Sequence, residues 1–466
     1  MSSQFVPPRP SVLPKKASLF QHVQHGLRSG LGMFQSGSYE NVGVGRHPIP
    51  TLPRGITRFL YTVRTPDLIR EVLVRRAGDF PKSALMDDML RALIGYSIFT
   101  SNGADWRRHR RLMDPAFEGA RIKAVFPNML QAVDACVARI EPQAGTGKPV
   151  AMDVELTHYA ADIIFRTIFS EPMDAGGARR FFKAFDTFQE IAYAHGMLGL
   201  SKFPTRLLPG AWRAKAAAKI IRQILEAPLQ RRLTAMRRGD PAPTNDILAT
   251  LTATVDPETG AGFNDQELLD QISMLFLAGH ETSAAGLAWT FYLLANSPEI
   301  QERAHQEATS AFGEREPQFS DMRRLPLTRD IFREALRLYP PVAFVARDAT
   351  LPEQMMNREV APGSVVFVSP WLMQRHVKHW DRPDVFDPDR FSTQNGEEGL
   401  KNAYLPFSMG PRVCVGASFA LQEAAVLISA LMRRFRFLPV PGHTPEPIAR
   451  LTLRSANGIP LIVERR

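Results

Sequence analysis

Phe407-Ser408-Met409-Gly410-Pro411-Arg412-Val413-Cys414-Val415-Gly416 is the stretch on which the reading of this 466-residue chain turns. A thiolate is the useful form of cysteine, and positive charge, backbone N–H groups and a helix N-terminus each favour it. Gly410 and Pro411 force a turn, and Arg412 brings a fixed positive charge. Gly416 opens the apolar run from Ala417 to Met432, which predicts a helix starting just beyond the sulfur. Cys414 therefore stands at a helix mouth, where a lone cysteine serves as a nucleophile, a redox sensor or an axial metal ligand.

The spacing F-x-x-G-x-R-x-C-x-G separates these uses, because it resembles the haem-binding loop of the cytochrome P450 family. The resemblance implies that the Cys414 thiolate is the proximal ligand of a haem iron, with Phe407, Arg412 and Gly416 around the cofactor.

Composition is compatible with this and excludes other classes. Two cysteines in a chain of this length leave no disulfide framework and suit a reducing compartment. Cys136 falls at helical spacing among Leu130, Val133 and Ile140 and reads as core. No window approaches the roughly 20 apolar residues that span a bilayer, and Met1 to Pro14 is polar and proline-rich with no apolar h-region. The expectation is a soluble, cytoplasmic protein. The net charge of +10 concentrates in Trp106-Arg107-Arg108-His109-Arg110-Arg111 and Arg433-Arg434-x-Arg436, without the aromatic platform or fold signature of a nucleic-acid binder.

Residues 1 to 55 are rich in Pro and Gly and read as an irregular lead-in. A strand over Phe59 to Val63 and a helix from Pro66 to Arg76 follow. Trp106 and Arg110 lie four apart on one helix face, where an indole N–H and a guanidinium can reach one carboxylate together. The family pattern W-x-x-x-R implies that they grip a haem propionate. Gly145-Thr146-Gly147-Lys148 fails as a phosphate loop, since Pro142 stands at the first glycine position and Pro149 replaces the Ser or Thr. Gly43-Val44-Gly45 lacks the third glycine of a dinucleotide fingerprint. An oxidoreductase reading thus needs electrons from outside, with NAD(P)H acting only indirectly. The aromatic stretch Phe182 to Leu208, with Phe185, Phe188, Ile191, Tyr193 and Phe203, is a lid over an apolar pocket or plain helix packing.

Asn264-Asp265-Gln266-Glu267 is a capping-box start and Asn296-Ser297-Pro298 a stop. The helix between them is about 32 residues, or about 48 Å, long and apolar nearly all round at its middle, so it runs through the interior. Ala278-Gly279-His280-Glu281-Thr282-Ser283 interrupts that apolarity at a cost that demands a use. Leu275, Gly279 and Thr282 share a face, so Gly279 leaves room beside the Thr282 hydroxyl, while His280 points away as a satisfied core histidine. The segment matches the family's A-G-x-E-T, which implies that Thr282 and Glu281 shape a proton route to bound O2.

Glu334 and Arg337 form an intrahelical pair, and Pro388-Asp389-Arg390-Phe391 follows about 50 residues later. In the family such a Glu and Arg join the second Arg, here Arg390, in a buried charge network behind the haem loop. The β-like run Val342 to Arg347 then implies, by resemblance, a propionate contact at Arg347 and pocket-lining residues including Phe344, with Leu275 of the central helix another substrate-contact candidate. A strand is expected over Val365 to Val368. At the C-terminus Asn457-Gly458, flanked by Leu451 to Leu453 and Pro460 to Val463, signals a hairpin, and the resemblance implies that it lies at the pocket's edge with Leu451 a substrate contact.

Five motifs in the family's order imply a single domain spanning 1–466, mainly α with a minor β portion, without a fused reductase. Haem b is expected between the Gly279 helix and the Cys414 loop. The implied activity puts one oxygen atom of O2 into a small apolar substrate, whether fatty acid, terpenoid, steroid or aromatic, and reduces the other to water. A-G-H-E-T-S, P-D-R-F and the length are closer in style to fatty-acid-hydroxylating and eukaryotic-type relatives than to the short camphor-type ones. Electrons would come singly from an acidic ferredoxin or flavodoxin-like protein with its reductase, docking on a basic face of Arg107, Arg108, Arg111, Arg433 and Arg434. A peroxide-dependent haem-thiolate enzyme and a non-enzymatic haem sensor are the alternatives; the first commonly lacks the acid and threonine that Glu281 and Thr282 supply, and the second usually brings an output domain.

Overall fold

The helix that the capping box announces spans Asp265–Ala295, 31 residues. The Asn264 side chain accepts from the Glu267 N–H, and the Glu267 carboxylate accepts from the Asn264 N–H, both at 2.9 Å. Two orphan donors are thereby satisfied where the helix leaves the surface. From Leu268 onward nearly every residue is buried, and helices Met152–Phe169, Pro326–Leu338 and Ala417–Arg434 pack around it. The computed structural model describes residues 5–10, 18–34, 36–49, 58–199, 208–313 and 315–466.

Helices dominate, and the β portion is small. In the four-stranded sheet Arg58–Val63 pairs antiparallel with Val44–Ile49 and parallel with Val365–Val368, which pairs antiparallel with Val345–Asp348. The strands expected at residues 59 to 63 and 365 to 368 are present, and the β-like run at 342 to 347 becomes a strand only from Val345. The helix expected from Pro66 ends at Arg70 and continues as a π turn to Arg75.

Two expectations need correction. The lead-in is not uniformly irregular, for it holds a helix at Leu19–Arg28, capped by Ser18, and the strand Val44–Ile49. Residues 5–10 also dock on the body, where Pro8 O accepts from Tyr339 Oη at 2.6 Å and Phe5 O from the Phe386 N–H at 3.1 Å. Nor does Asn457-Gly458 close a hairpin. The hairpin pairs Pro447–Ala449 with Leu453–Ser455 through a turn at residues 450 to 452, whereas Pro460–Arg465 pairs with Phe435–Pro439 and Pro149–Ala151. Gly458 does adopt the positive φ, 79°, that such a turn signal encodes, but its flanking strands find other partners.

The aromatic stretch lies on the helix Ala175–Gly199, where Phe181 and Phe185 bury their rings against Phe276 and His280 of the central helix. For these residues the packing reading holds; Phe203 lies outside the described residues.

The expected charge network is present. Glu334 and Arg337 are both fully buried and joined by two hydrogen bonds of 2.7 and 2.8 Å, and Arg390 reaches Glu334 at 2.8 Å. The remaining guanidinium donors end on backbone carbonyls of residues 374, 381, 382, 383 and 385. Burial alone would raise the Glu334 carboxyl, but Arg337 and Arg390 outweigh it and hold the group below its ordinary range. Gln374 ties this network to the loop: its Nε2 donates to Leu336 O and Arg337 O, and its Oε1 accepts from the Leu405 N–H at 2.6 Å.

A second buried acid has no cation. Glu423, on Ala417–Arg434, accepts only from Ser283 Oγ of the central helix, and its Oε1 has no partner among the described residues. Burial pushes its carboxyl up to about 8.

Two stability measurements follow from these groups. Arg337→Met leaves Glu334 short of its main partner and should cost about 3–5 kcal/mol in denaturant unfolding. Breaking the exposed pair Arg303–Asp389, 2.8 Å apart, should cost less than about 1 kcal/mol. For Glu423 the sign is the reverse of the usual carboxylate case. The native state keeps a proton that the unfolded chain releases above about pH 4.3, so stability falls as pH rises from there toward 8, then levels. Glu423→Gln should therefore gain stability relative to the parent chain between pH 5.5 and 8.5, by at most about 1.4 kcal/mol per pH unit. An unchanging difference across that range would mean that Glu423 is already charged.

Candidate active site

The Cys414 loop is shaped by backbone. Its N–H donates to Phe407 O at 3.0 Å, and Ser408 takes a left-handed φ of 62°. Gly410, at φ 74°, passes so close to the preceding layer that a Cβ would stand 2.2 Å from Leu73 O. Only glycine fits both the conformation and the contact. Gly416 caps Ala417–Arg434 and turns its N–H toward the sulfur; a Cβ there would meet Phe117 and the Cys414 sulfur only at ordinary contact distance. Burial pushes the Cys414 thiol up, against the pull of the Gly416 N–H, Arg110 and Lys82. The residue is nevertheless accessible, so the sulfur opens onto space within a shell of protein.

Around it stand cations without anions. Arg347, 4% exposed, makes one hydrogen bond, to Ala346 O, and burial takes it down to about 10. Arg412 is taken to about 10 by burial and by Arg347, and it donates to Ser101 O and Asn102 Oδ1 while its guanidinium lies 4.3 Å over the Trp106 ring. Lys82 sits 3.6 Å over the Phe99 ring, its ammonium driven well down by burial, Arg347 and Arg412. Among the described residues no carboxylate pairs with any of the three. Such a group suits a ligand with two carboxylates, and a thiolate at Cys414 suits a soft metal. The Trp106 backbone N–H donates to Asn102 O at 3.3 Å, while its indole N–H has no partner among the described residues and is free to join. Arg110 is less free than its spacing suggested: it donates to Val413 O at 2.8 Å and pairs with Asp114 at 2.6 Å. Lys82 was missed because Phe80-Pro81-Lys82-Ser83 offers no motif; its role comes from the bridge that sets it beside Arg347.

On the central helix Ala278 is exposed and Thr282 half-buried, in the middle of an otherwise buried element. The open face thus runs through Ala278 and Thr282, four apart. Thr282 Oγ1 donates to Ala278 O at 2.7 Å. Leu275 is buried in the main core. Gly279 does not clear space for the hydroxyl as its position suggested. A Cβ there would meet Ile164 of Met152–Phe169 at 3.0 Å, so the glycine serves close helix packing. His280 is fully buried, with Nδ1 2.9 Å from Phe276 O, and burial lowers it to about 3. Glu281 turns from the open face toward the C-terminal hairpin, where Thr452 donates to it at 2.5 Å and Arg454 pairs with it.

Phe344 packs between Phe34 and Phe367, and Leu451 sits half-buried at the hairpin turn. Three of the five arginines of the expected basic face are engaged within the protein. Arg108 pairs with Glu267 at 2.6 Å, Arg111 with Asp256 at 2.5 Å and with Glu258, and Arg433 donates to Gly313 O beside the Phe312 ring. Arg107 and Arg434 remain exposed and unpaired among the described residues.

The cytochrome P450 family model matches residues 47–462. Cyclooctatin synthase of Streptomyces melanosporofaciens is 31% identical over 88% of this chain and 87% of its own length. Cyclooctat-9-en-7-ol 5-monooxygenase of the same organism is 32% identical over 82% and 81%. Echinocystic acid 23-monooxygenase of Saponaria officinalis is 32% identical over 86% and 79%. Among solved structures the cytochrome P450DA heme domain superposes with a TM-score of 0.83 at 25% identity, over 98% of both chains. With matches that take in both the Cys414 loop and the Glu281-Thr282 helix, the chain belongs to the cytochrome P450 family and is a P450 monooxygenase.

Proposed function

We propose that this chain, as one domain, hydroxylates or epoxidises a small apolar compound with O2. It uses haem b ligated by Cys414, and electrons come from a separate ferredoxin or flavodoxin-like donor whose reductase draws on NAD(P)H. The observation behind this reading is the trio of buried Arg347 and half-buried Lys82 and Arg412, which stand without a carboxylate among the described residues around the accessible cysteine, Cys414. Two propionates would neutralise them, with Trp106 as a further donor and Arg110 bracing the loop through Val413 O. When bound, the haem supplies dioxygen activation, so that substrate, O2, two electrons and two protons become oxygenated product and water. Gly416 and the cations favour the thiolate, Ala278 leaves a flat wall beside the oxygen-binding side, and Thr282 and Glu281 handle protons there.

Phe344, Leu451 and Leu275 would give the substrate side its apolar lining. Two of the relatives are named for oxidising an alcohol and an acid, cyclooctat-9-en-7-ol and echinocystic acid, so a hydrocarbon framework that already bears an oxygen function suits the site. Only Arg107 and Arg434 of the proposed arginines are left for an acidic electron donor. Charge reversal there should weaken the salt dependence of coupling modestly, and the same change at Arg108 or Arg111 should instead loosen the fold. No helix among the described residues is long and apolar enough to cross a membrane, in keeping with work in the cytoplasm.

The first test is the absorption spectrum of the reduced protein with carbon monoxide, beside Cys414→Ala. The far-red-shifted Soret band of thiolate-ligated haem should appear and be lost in the variant; a band of the histidine-ligated type would sink the reading. The cation trio has its own measurement. Lys82→Met and Arg347→Met should each weaken haem retention roughly 10- to 100-fold, the worth of one charged hydrogen bond, in transfer of haem to apomyoglobin. Retention unchanged in both variants would show that the cations do not face the cofactor.

A further inference from the structure

Arg64 directly follows the strand Arg58–Val63, and its N–H donates to Gly43 O at 3.0 Å. Its guanidinium lies over Gly45 of the paired strand, where a Cβ would stand 3.5 Å from Arg64 Nη2 and 3.4 Å from His47 Nε2. The side chain is half-buried and its Nε is buried with no partner, and among the described residues no carboxylate pairs with it. Arg375 shows the contrast. It donates to Asp384 at 2.8 Å and twice to Leu338 O, and its guanidinium lies 4.2 Å over the Trp371 ring. Taking a guanidinium out of water is costly, and only Arg375 has the partners that offset it.

The segment 376–379 forms the neighbouring wall. His376 is fully buried; its Nδ1 accepts from the Lys378 N–H at 3.2 Å and its Nε2 lies 3.5 Å from Asn41 O, an arrangement that a neutral ring satisfies at both nitrogens. Burial lowers His376, and Arg64 and Lys378 lower it further, so both cations stand close to it. The half-buried His379 has its ring 5.2 Å from that of His376 and its Nε2 buried without a partner. Burial, His376 and Lys378 all lower it. No acid is among the influences on Arg64, His376 or His379. Lys378 is exposed and has no carboxylate partner among the described residues.

We propose that Arg64 and Lys378, backed by His379, form a binding site for a phosphate group, carried as the free ion or as the monoester of a small molecule. The planar guanidinium offers paired N–H donors, and the ammonium adds a mobile point charge from a second chain segment, so phosphate oxygens are met from different directions. A carboxylate, with two oxygens and a single charge, leaves part of that set unanswered. The site shares no residue with the cations around Cys414, and it stands independently of the catalytic reading. Its occupation joins the turn before Val44 to the segment that Gln374 ties to the Cys414 loop, and stabilises the native state by mass action.

The test is calorimetric titration of the holoenzyme with inorganic phosphate and, separately, with glycerol 3-phosphate, in a buffer free of other oxyanions and with sodium chloride holding the ionic strength constant. One saturable event is expected below about 10 mM. Arg64→Met should weaken it about 10-fold or more, and Lys378→Met, at an exposed position that the fold does not need, about 3-fold. Near-ultraviolet circular dichroism checks that each variant keeps its packing; should Arg64→Met lose it, Lys378→Met decides alone. Tighter binding of the ester supports the site with a monoester as its ligand, and equal or weaker binding supports it with the free ion. No saturable binding by the parent chain, or binding unchanged in the folded variants, would overturn the proposal.

Discussion

Like charges held together inside a protein repel and lose hydration, so buried Arg347 and half-buried Lys82 and Arg412 stand side by side at a cost that an anion among them would relieve. Much of the surrounding structure keeps these three in place. Asn102 accepts from both Arg412 and the Lys82 N–H, and Trp106 lies under the Arg412 guanidinium. The strand Val345–Asp348 fixes Arg347 at the edge of the four-stranded sheet. On the proposed function a Cys414 thiolate would be one anion for this cluster and a carboxylate-bearing cofactor the other, which would make the cations and the sulfur parts of one electrostatic unit.

The opposite solution appears in the network that Gln374 ties to the loop. Glu334, Arg337 and Arg390 are all buried, the one carboxylate bonds both guanidiniums, and their remaining donors end on backbone carbonyls. One network is closed and the other left open. That contrast distinguishes a structural ion cluster from one prepared to receive a ligand.

Motif and cap chemistry made much of this legible in the sequence. The capping box at Asn264 and Glu267 set the central helix to within a residue, because its signal is local hydrogen bonding. The buried Glu334-Arg337-Arg390 network followed from resemblance, since nothing in an i, i+3 pair alone says that it is buried. Where the reading failed, tertiary partners decided. Asn457-Gly458 encodes a turn but not which strands pair across it, and Gly279 marks a close approach without telling from which side. The arginines of the basic run looked like a docking face until Asp256, Glu258 and Glu267, more than a hundred residues away, paired with two of them. Lys82 escaped notice, and Ala278 stood in its motif without a role, because neither residue type advertises one.

Gln374 gives the loop a particular thermal character. Through this fully buried amide, Leu405 is tethered to the carbonyls that end the Pro326–Leu338 helix. The position of the sulfur is thereby referenced to the deepest part of the molecule. Fraying of termini and peripheral helices on warming would leave it in register. Distortion of the ligand loop should then coincide with cooperative melting of the whole core, leaving little room for a folded state that has already let its sulfur drift.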